Sequence, residues 1–428
     1  VNSFTSGINS HQINTIKQQI LTWLQPFNIC CFLDNNQYYS NYHQVECLVA
    51  VNATHSICPS AHYLQELNIF LEKHKNKWIF GHVSFDVKEE LFNIPSLHKS
   101  NIQFPPLFFF VPEIVIKLTK ENITIFSATD NPQTIYAAIL SQKNHPTAND
   151  ISNIDIQPKI SKATYLQHIA ALQHHIQIGD CYEINYCQEF FANHVTINPV
   201  ATFKKLIQVS PTPFACYYTL QQQHLLCASP ERYIKKEGST LISQPIKGTI
   251  KRNKENSATD NVLKETLRAS KKDQRENVMI VDLVRNDFSR ICKPGSVKVE
   301  ELFGIYTYPQ VHQMISTITG EVENNINLAH ILQETFPMGS MTGAPKKKVL
   351  ALTEQYEQSK RGIYSGTVGY IDPTGNFDFN VVIRSILYNA NQQYLSYLVG
   401  GGITFYSNAE NEYEECLLKA EAMKKALA

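Results

Sequence analysis

Two periods of apolar and polar positions alternate along this 428-residue chain. After Ser161, the residues Tyr165, Ile169, Leu172 and Ile176 recur at spacings of four, three and four. That spacing predicts a helix, with Gly179 as its stop. Ile8–Trp23 reads as another helix, and a further one begins near Pro345. Shorter apolar or alternating runs predict strands at Ile29–Leu33, Val45–Val51, Trp78–Val87 and Tyr182–Phe191. More follow around Phe214–Leu220, His224–Ala228 and Arg232–Lys236. Phe104–Leu118 is a longer β stretch whose three prolines place it at a sheet edge. A polar connector over 141–155 separates an N-terminal region, 1–145, from a second region, 160–428, the two interwoven in one composite domain. Strands cluster, helices fall between the clusters, and no regular βαβ alternation or internal repeat is present. The expected fold is α+β, with large antiparallel β-sheets packed face to face and flanking helices.

Charge narrows the function classes. Thirty-eight basic residues balance thirty-eight acidic ones, which argues against a nucleic-acid binder relying on positive charge. The longest apolar stretch, Phe104–Ile116, is too short for a bilayer and is broken by prolines, so no membrane span is expected. The polar start lacks the pattern of a signal peptide. The ten cysteines include no C-x-x-C pair, which suits free thiols in a reducing cytoplasm. All eight arginines lie between Arg232 and Arg384. For a single arginine the plainer reading is a structural ion pair, but a rigid fork for a ligand carboxylate is the alternative.

Four motifs carry candidate chemistry. Asp273 and Glu276 share one face of a helix that Ser270 can cap, and Glu412 and Glu415 repeat the spacing near the C-terminus. Two such faces meeting would suit a hard divalent cation, whereas alone each is an ordinary solvated face. Lys247 in Gln244-Pro245-Ile246-Lys247-Gly248-Thr249 sits on a tight turn, where burial can lower its pKa and make it a nucleophile or base. Taken singly, it is more simply a surface lysine. Gly339-Ser340-Met341-Thr342-Gly343 precedes the helix near Pro345 and suits an anionic oxygen, or is a plain loop. Gly400, Gly401 and Gly402 let backbone approach a ligand, or form a bend.

The order of these blocks, from Ser229-Pro230-Glu231-Arg232 through Arg361-Gly362-Ile363-Tyr364-Ser365-Gly366-Thr367-Val368-Gly369-Tyr370 and Arg384 to Glu415, resembles the chorismate-utilising enzymes. That family includes anthranilate, aminodeoxychorismate, isochorismate and salicylate synthases. The likeness is strong over 160–426 and weaker over 1–145. It implies an anthranilate synthase component I-like fold and Mg²⁺ held by Glu276 and Glu415, with Asp273 and Glu412 bridging through waters. It further implies that one chorismate carboxylate meets the metal. The other meets Arg384, Tyr370 and the N–H groups of a Gly400–Gly402 turn, and Ser340 contacts substrate.

Glu183 stands where water-activating members carry Lys, so water attack is disfavoured. Lys247, with Thr249 beside it, resembles the members that make 4-amino-4-deoxychorismate for folate. In those, the lysine is proposed to add to ring C2 while the C4 hydroxyl leaves, before ammonia attacks C4. Anthranilate formation is the runner-up, and a non-catalytic chorismate- or amino-acid-binding subunit the third reading. Gln313 replaces a family His, and His312, one residue earlier, points to the opposite strand face. No glutaminase sequence is present, so ammonia is expected from a glutamine amidotransferase subunit or from solution.

Overall fold

The computed structural model describes residues 2–38, 42, 45–143, 154–308, 310–324 and 326–428. Most of the expected 141–155 connector therefore lies outside the described residues. Twenty strands among the described residues join one network. At its centre is Leu107–Leu118, paired antiparallel with Cys47–Ile57 along one edge. Along its other edge it meets Ile79–Val83 and then Asn122–Ser127. This corrects the expectation of an edge strand. Pro112 is accommodated because it sits beside a register shift between Ala53 and His55, where a missing N–H breaks no ladder. Pro105 and Pro106 precede the strand, and their carbonyls accept from His82 and Ser84.

Two arms leave this centre. One runs through Ile29–Asp34, Phe214–Leu220, Gln223–Ser229, Ser385–Asn389 and Tyr394–Ile403 to Glu183–Ala192. The other runs through Thr367–Ile371, Phe377–Asn380, Arg232–Glu237 and Thr240–Gln244 to Val311–Glu321, which also holds Ile246–Lys251 and Lys298–Thr307. Leu225, Cys227 and Leu398 of the first arm share one buried core with Ile234, Ile318 and Phe379 of the second. The first arm's other face is covered by the helices Ile13–Trp23, Lys162–Gln177, Pro199–Val209 and Ala409–Leu427. The α+β expectation of facing antiparallel sheets with flanking helices is what the chain forms.

Helix starts are set by side-chain caps. Ser161, Ser270 and Asn408 accept from the N–H groups of Thr164, Asp273 and Asn411. Each cap is worth about 1 kcal/mol. The last two fix the first turns of Lys271–Ser289 and Ala409–Leu427, which carry the acidic pairs. No helix among the described residues is long and apolar enough to cross a membrane. None of the ten cysteines is disulfide-bonded, and all but Cys58 are buried.

Candidate active site

An irregular strand and close approaches at glycines decide which groups meet. Gly248 turns toward the Lys271–Ser289 helix, where an added Cβ would lie 2.9 Å from the Asp273 Cβ. Its φ of +91° also favours glycine. The strand is irregular here, with a register shift between Ile246 and Thr249, and Lys247 is left facing Glu183, Glu231 and, on that helix, Glu276. Lys247 Nζ donates to Glu183 Oε1 at 2.6 Å, in a pair whose side chains are only 11% and 2% exposed. Gly402 makes room for it, since a Cβ there would fall 2.4 Å from Glu183 Oε1 and 2.8 Å from Lys247 Nζ.

Two opposing effects act on Lys247 in this geometry. Burial is the largest single effect on Lys247 and lowers its pKa. The carboxylates of Glu183, Glu276 and Glu231 together outweigh it and hold the lysine above its ordinary value. Conversion of Lys247 to a neutral nucleophile requires a proton acceptor, and Glu183 is in place. Glu183 Oε2 is buried without a hydrogen-bond partner.

The acidic pairs meet across two helices. Lys272 Nζ lies 3.8 Å from Glu276 Oε1 and 3.7 Å from Glu412 Oε1. Burial raises Glu276 to about 7, against the pull of Lys247 and Lys272. Glu412 Oε2 lies 3.2 Å from where a Cβ of Gly401 would stand. Glu415 is turned to Lys419 at 2.8 Å, which holds its carboxyl below the usual range, and Lys419 also donates to the Gly400 carbonyl. Asp273, Glu276, Glu412 and Glu415 thus share one neighbourhood. No three carboxylate, His or Cys side chains among the described residues close around a single point.

Two further placements depart from expectation. Gly400, Gly401 and Gly402 do not form a turn. They lie within the strand Tyr394–Ile403, opposite Cys187, Tyr186 and Asn185. They are needed for close approach: a Cβ on Gly400 would lie 2.4 Å from the Tyr186 carbonyl oxygen and 2.5 Å from Cys187 Sγ. Tyr370 is not with the Lys247 group. It stacks near Trp78 and Phe80 and lines a separate cavity with Asp34, Lys235 and Asp378. Tyr364, six residues earlier, reaches the strand that pairs with the glycines, with its hydroxyl 3.8 Å from Cys187 Sγ.

Glu231 links the other candidates, and the sequence reading assigned it no role. It is 4% exposed, bonds to Ser340, and feels both Lys247 and Arg384. Its flanks, Ser229-Pro230 and Arg232, gave no sign of burial. Arg384 is half-buried; desolvation lowers its pKa, and it faces Tyr308 and Glu231. Gln313, 1% exposed, directs Nε2 to Thr249 Oγ1 at 3.4 Å, and its Oε1 has no partner. His312 turns the other way, to Asp260 and Thr307 at 3.0 Å each. Arg361 follows the plain reading of an ion pair. It is buried against Glu357 and also donates to the carbonyls of Met341 and Asn185, tying the Ser340 turn to the Glu183 strand. Arg232 and Arg252 likewise pair with Asp378 and Asp260.

Burial raises Glu231 from 4.5 to about 7, which has a consequence for stability. Between these values the folded chain holds a proton that the unfolded chain releases, so stability falls as pH rises from about 4.5 to 7 and stays reduced above. The shift corresponds to about 3 kcal/mol. Glu231→Gln is expected to melt about 2–4 °C above wild type at pH 8. The gain should close at pH 5 in the same thermal scan, and a gain equal at both pH values would reject a buried carboxylate with this shift.

These residues gather from both arms of the fold, and the comparisons with known proteins cover the same span. Residues 29–425 match the family described as chorismate binding enzyme. Aminodeoxychorismate synthase component 1 of Escherichia coli is 31% identical over 348 residues, covering 81% of this chain and 76% of that one. The protein of that name from Bacillus subtilis is 28% identical over 361 residues, covering 81% and 76%. Among solved structures, anthranilate synthase component I from Streptococcus pneumoniae superposes with a TM-score of 0.77 at 24% identity, covering 90% of this chain and 93% of that one. The menaquinone-specific isochorismate synthase of Escherichia coli gives 0.78 at 16%, covering 100% and 94%; at these identities the likeness is one of fold. With the family match spanning nearly the whole chain and enclosing every residue of the Lys247 group, the chain belongs to the chorismate-binding enzymes.

Proposed function

We propose that this chain aminates chorismate in the cytoplasm, exchanging the C4 hydroxyl for ammonia to give 4-amino-4-deoxychorismate and water. The observation that carries this reading is the buried Lys247–Glu183 pair at 2.6 Å. A lysine is paired there with a group able to take its proton, and Glu183 stands at the position where the water-activating members of the family carry Lys. The names of the relatives agree. Arg384 and Ser340 are suited to a substrate carboxylate, and Glu231 faces both. Gln313 orients Thr249, two residues beyond Lys247.

Asp273, Glu276, Glu412 and Glu415 would hold Mg²⁺. Their fit rests on the unpartnered, buried Glu276 Oε1 and on the cationic Lys272 drawn between the two helices. When bound, Mg²⁺ would offset the charge of the substrate carboxylate. Ammonia would come from a glutamine amidotransferase subunit, as the name component 1 of the relatives suggests.

Product analysis tests the reading. Chorismate, Mg²⁺ and ammonium should give aminodeoxychorismate, and glutamine should serve only when a glutaminase subunit is added. Anthranilate as the product would overturn the proposed reaction. Glutamine use by the pure chain would overturn the partner.

A further inference from the structure

We propose that Lys272 tunes the divalent-cation affinity of the acidic cluster by competing for Glu276 and Glu412. The inference rests on the Mg²⁺ assignment above. Lys272 occupies the first turn of Lys271–Ser289, and its single ammonium spans carboxylates from two helices, at 3.8 and 3.7 Å. Both distances are longer than a hydrogen bond, and Glu276 Oε1 has no hydrogen-bond partner at all. The contact is therefore charge without bonding. A small cation that takes carboxylate oxygens at about 2.0–2.1 Å wins such a contest if the ammonium can leave.

The packing permits that exit. The Lys272 side chain is 57% exposed, against 14% for Glu276 and 4% for Glu412. The lysine can swing into solvent on its flexible stem while the carboxylates stay in place. The neighbouring cations are tied elsewhere, Lys247 to Glu183 and Lys419 to Glu415 and the Gly400 carbonyl. Lys272 is thus the lysine of this neighbourhood whose charge is free to be traded.

The trade gives Lys272 opposite effects in two conditions. With chelator present, its charge relieves repulsion among Asp273, Glu276, Glu412 and Glu415. With Mg²⁺ present, the same charge opposes the ion. Calorimetric titration of the full chain with MgCl₂ alone, and thermal melting with chelator or MgCl₂, read the two effects separately. Lys272→Met is expected to bind Mg²⁺ about tenfold more tightly, the scale of one unit-charge contact near 4 Å in a solvent-exposed setting. It should also melt below wild type in chelator and recover that loss in MgCl₂. Lys272→Arg, which keeps the charge, should stay close to wild type. Glu276→Gln should lose Mg²⁺ binding. Absent Mg²⁺ binding by wild type, or binding indifferent to Glu276→Gln, overturns the metal assignment and this inference with it. Binding that needs Glu276 but is unchanged or weaker in Lys272→Met overturns this inference alone.

Discussion

Lys247→Ala is expected to lower ammonium-dependent turnover by about 10³-fold, within the range for removing a positioned proton-transfer or nucleophilic group. The geometry sharpens what the lysine must do. An unperturbed lysine, with a pKa of about 10.4, is about one part in a thousand neutral near pH 7.5. The three carboxylates facing Lys247 reduce that fraction further. Attack on C2 therefore needs proton transfer to Glu183 Oε1, 2.6 Å away, as substrate brings its own charges into the site. Two measurements separate this from a purely electrostatic role. Incubation with chorismate and Mg²⁺, without ammonia, should leave an adduct at Lys247 with the mass of chorismate less water. Its rate of formation should rise with pH between 7 and 9. A lysine that only supports the departing hydroxyl as a cation gives no adduct, and Lys247→Arg then keeps much of the activity. Glu183→Gln should remove the adduct without unfolding the chain. Close to wild-type turnover in Lys247→Ala would reject covalent participation.

Legibility in the sequence followed the range of the interactions. The helix Lys162–Gln177 and the capped starts at Ser161 and Ser270 depend on residues within a few positions of one another, and they were readable. The acidic i,i+3 faces were readable for the same reason. The Lys247–Glu183 pair was not, because it joins strands 64 positions apart, and its effect on the lysine depends on carboxylates from two further elements. Tyr370 was misplaced by its closeness in sequence to Tyr364. The chain turns at Arg361–Gly366 and then enters the strand Thr367–Ile371, which carries Tyr370 off to Trp78 and Phe80. Three successive glycines suggested a turn, yet here they are flat strand residues kept small by Cys187, Glu412, Glu183 and Lys247. Proline suggested an edge strand, and a register shift absorbs it in the middle of the network. Gln313 and His312 fell on opposite faces as alternation required.

Glu276→Gln should be nearly as damaging as the loss of Lys247, about 10³-fold in turnover at every Mg²⁺ concentration, with the fold intact. An amide preserves the shape of the side chain and removes the charge a hard cation needs. Burial already raises Glu276 to about 7, and Glu183 and Asp273 add to its cost. Relief of that repulsion should leave the chelator-treated variant at least as heat-stable as wild type. The same substitution takes away one of the carboxylates that hold Lys247 protonated. Loss of activity together with unchanged or raised melting therefore points to charge at this position and not to packing. The second helix offers a graded comparison. Glu412 is 4% exposed and shares Lys272 with Glu276, whereas Glu415 is 44% exposed and paired with Lys419. Glu412→Gln should thus match Glu276→Gln if the two buried carboxylates form the core of the site. If Glu415→Gln is the more damaging, Glu415 must leave Lys419 when the cation binds. Near-normal turnover of Glu276→Gln at saturating Mg²⁺ would remove Glu276 from the ligand set altogether.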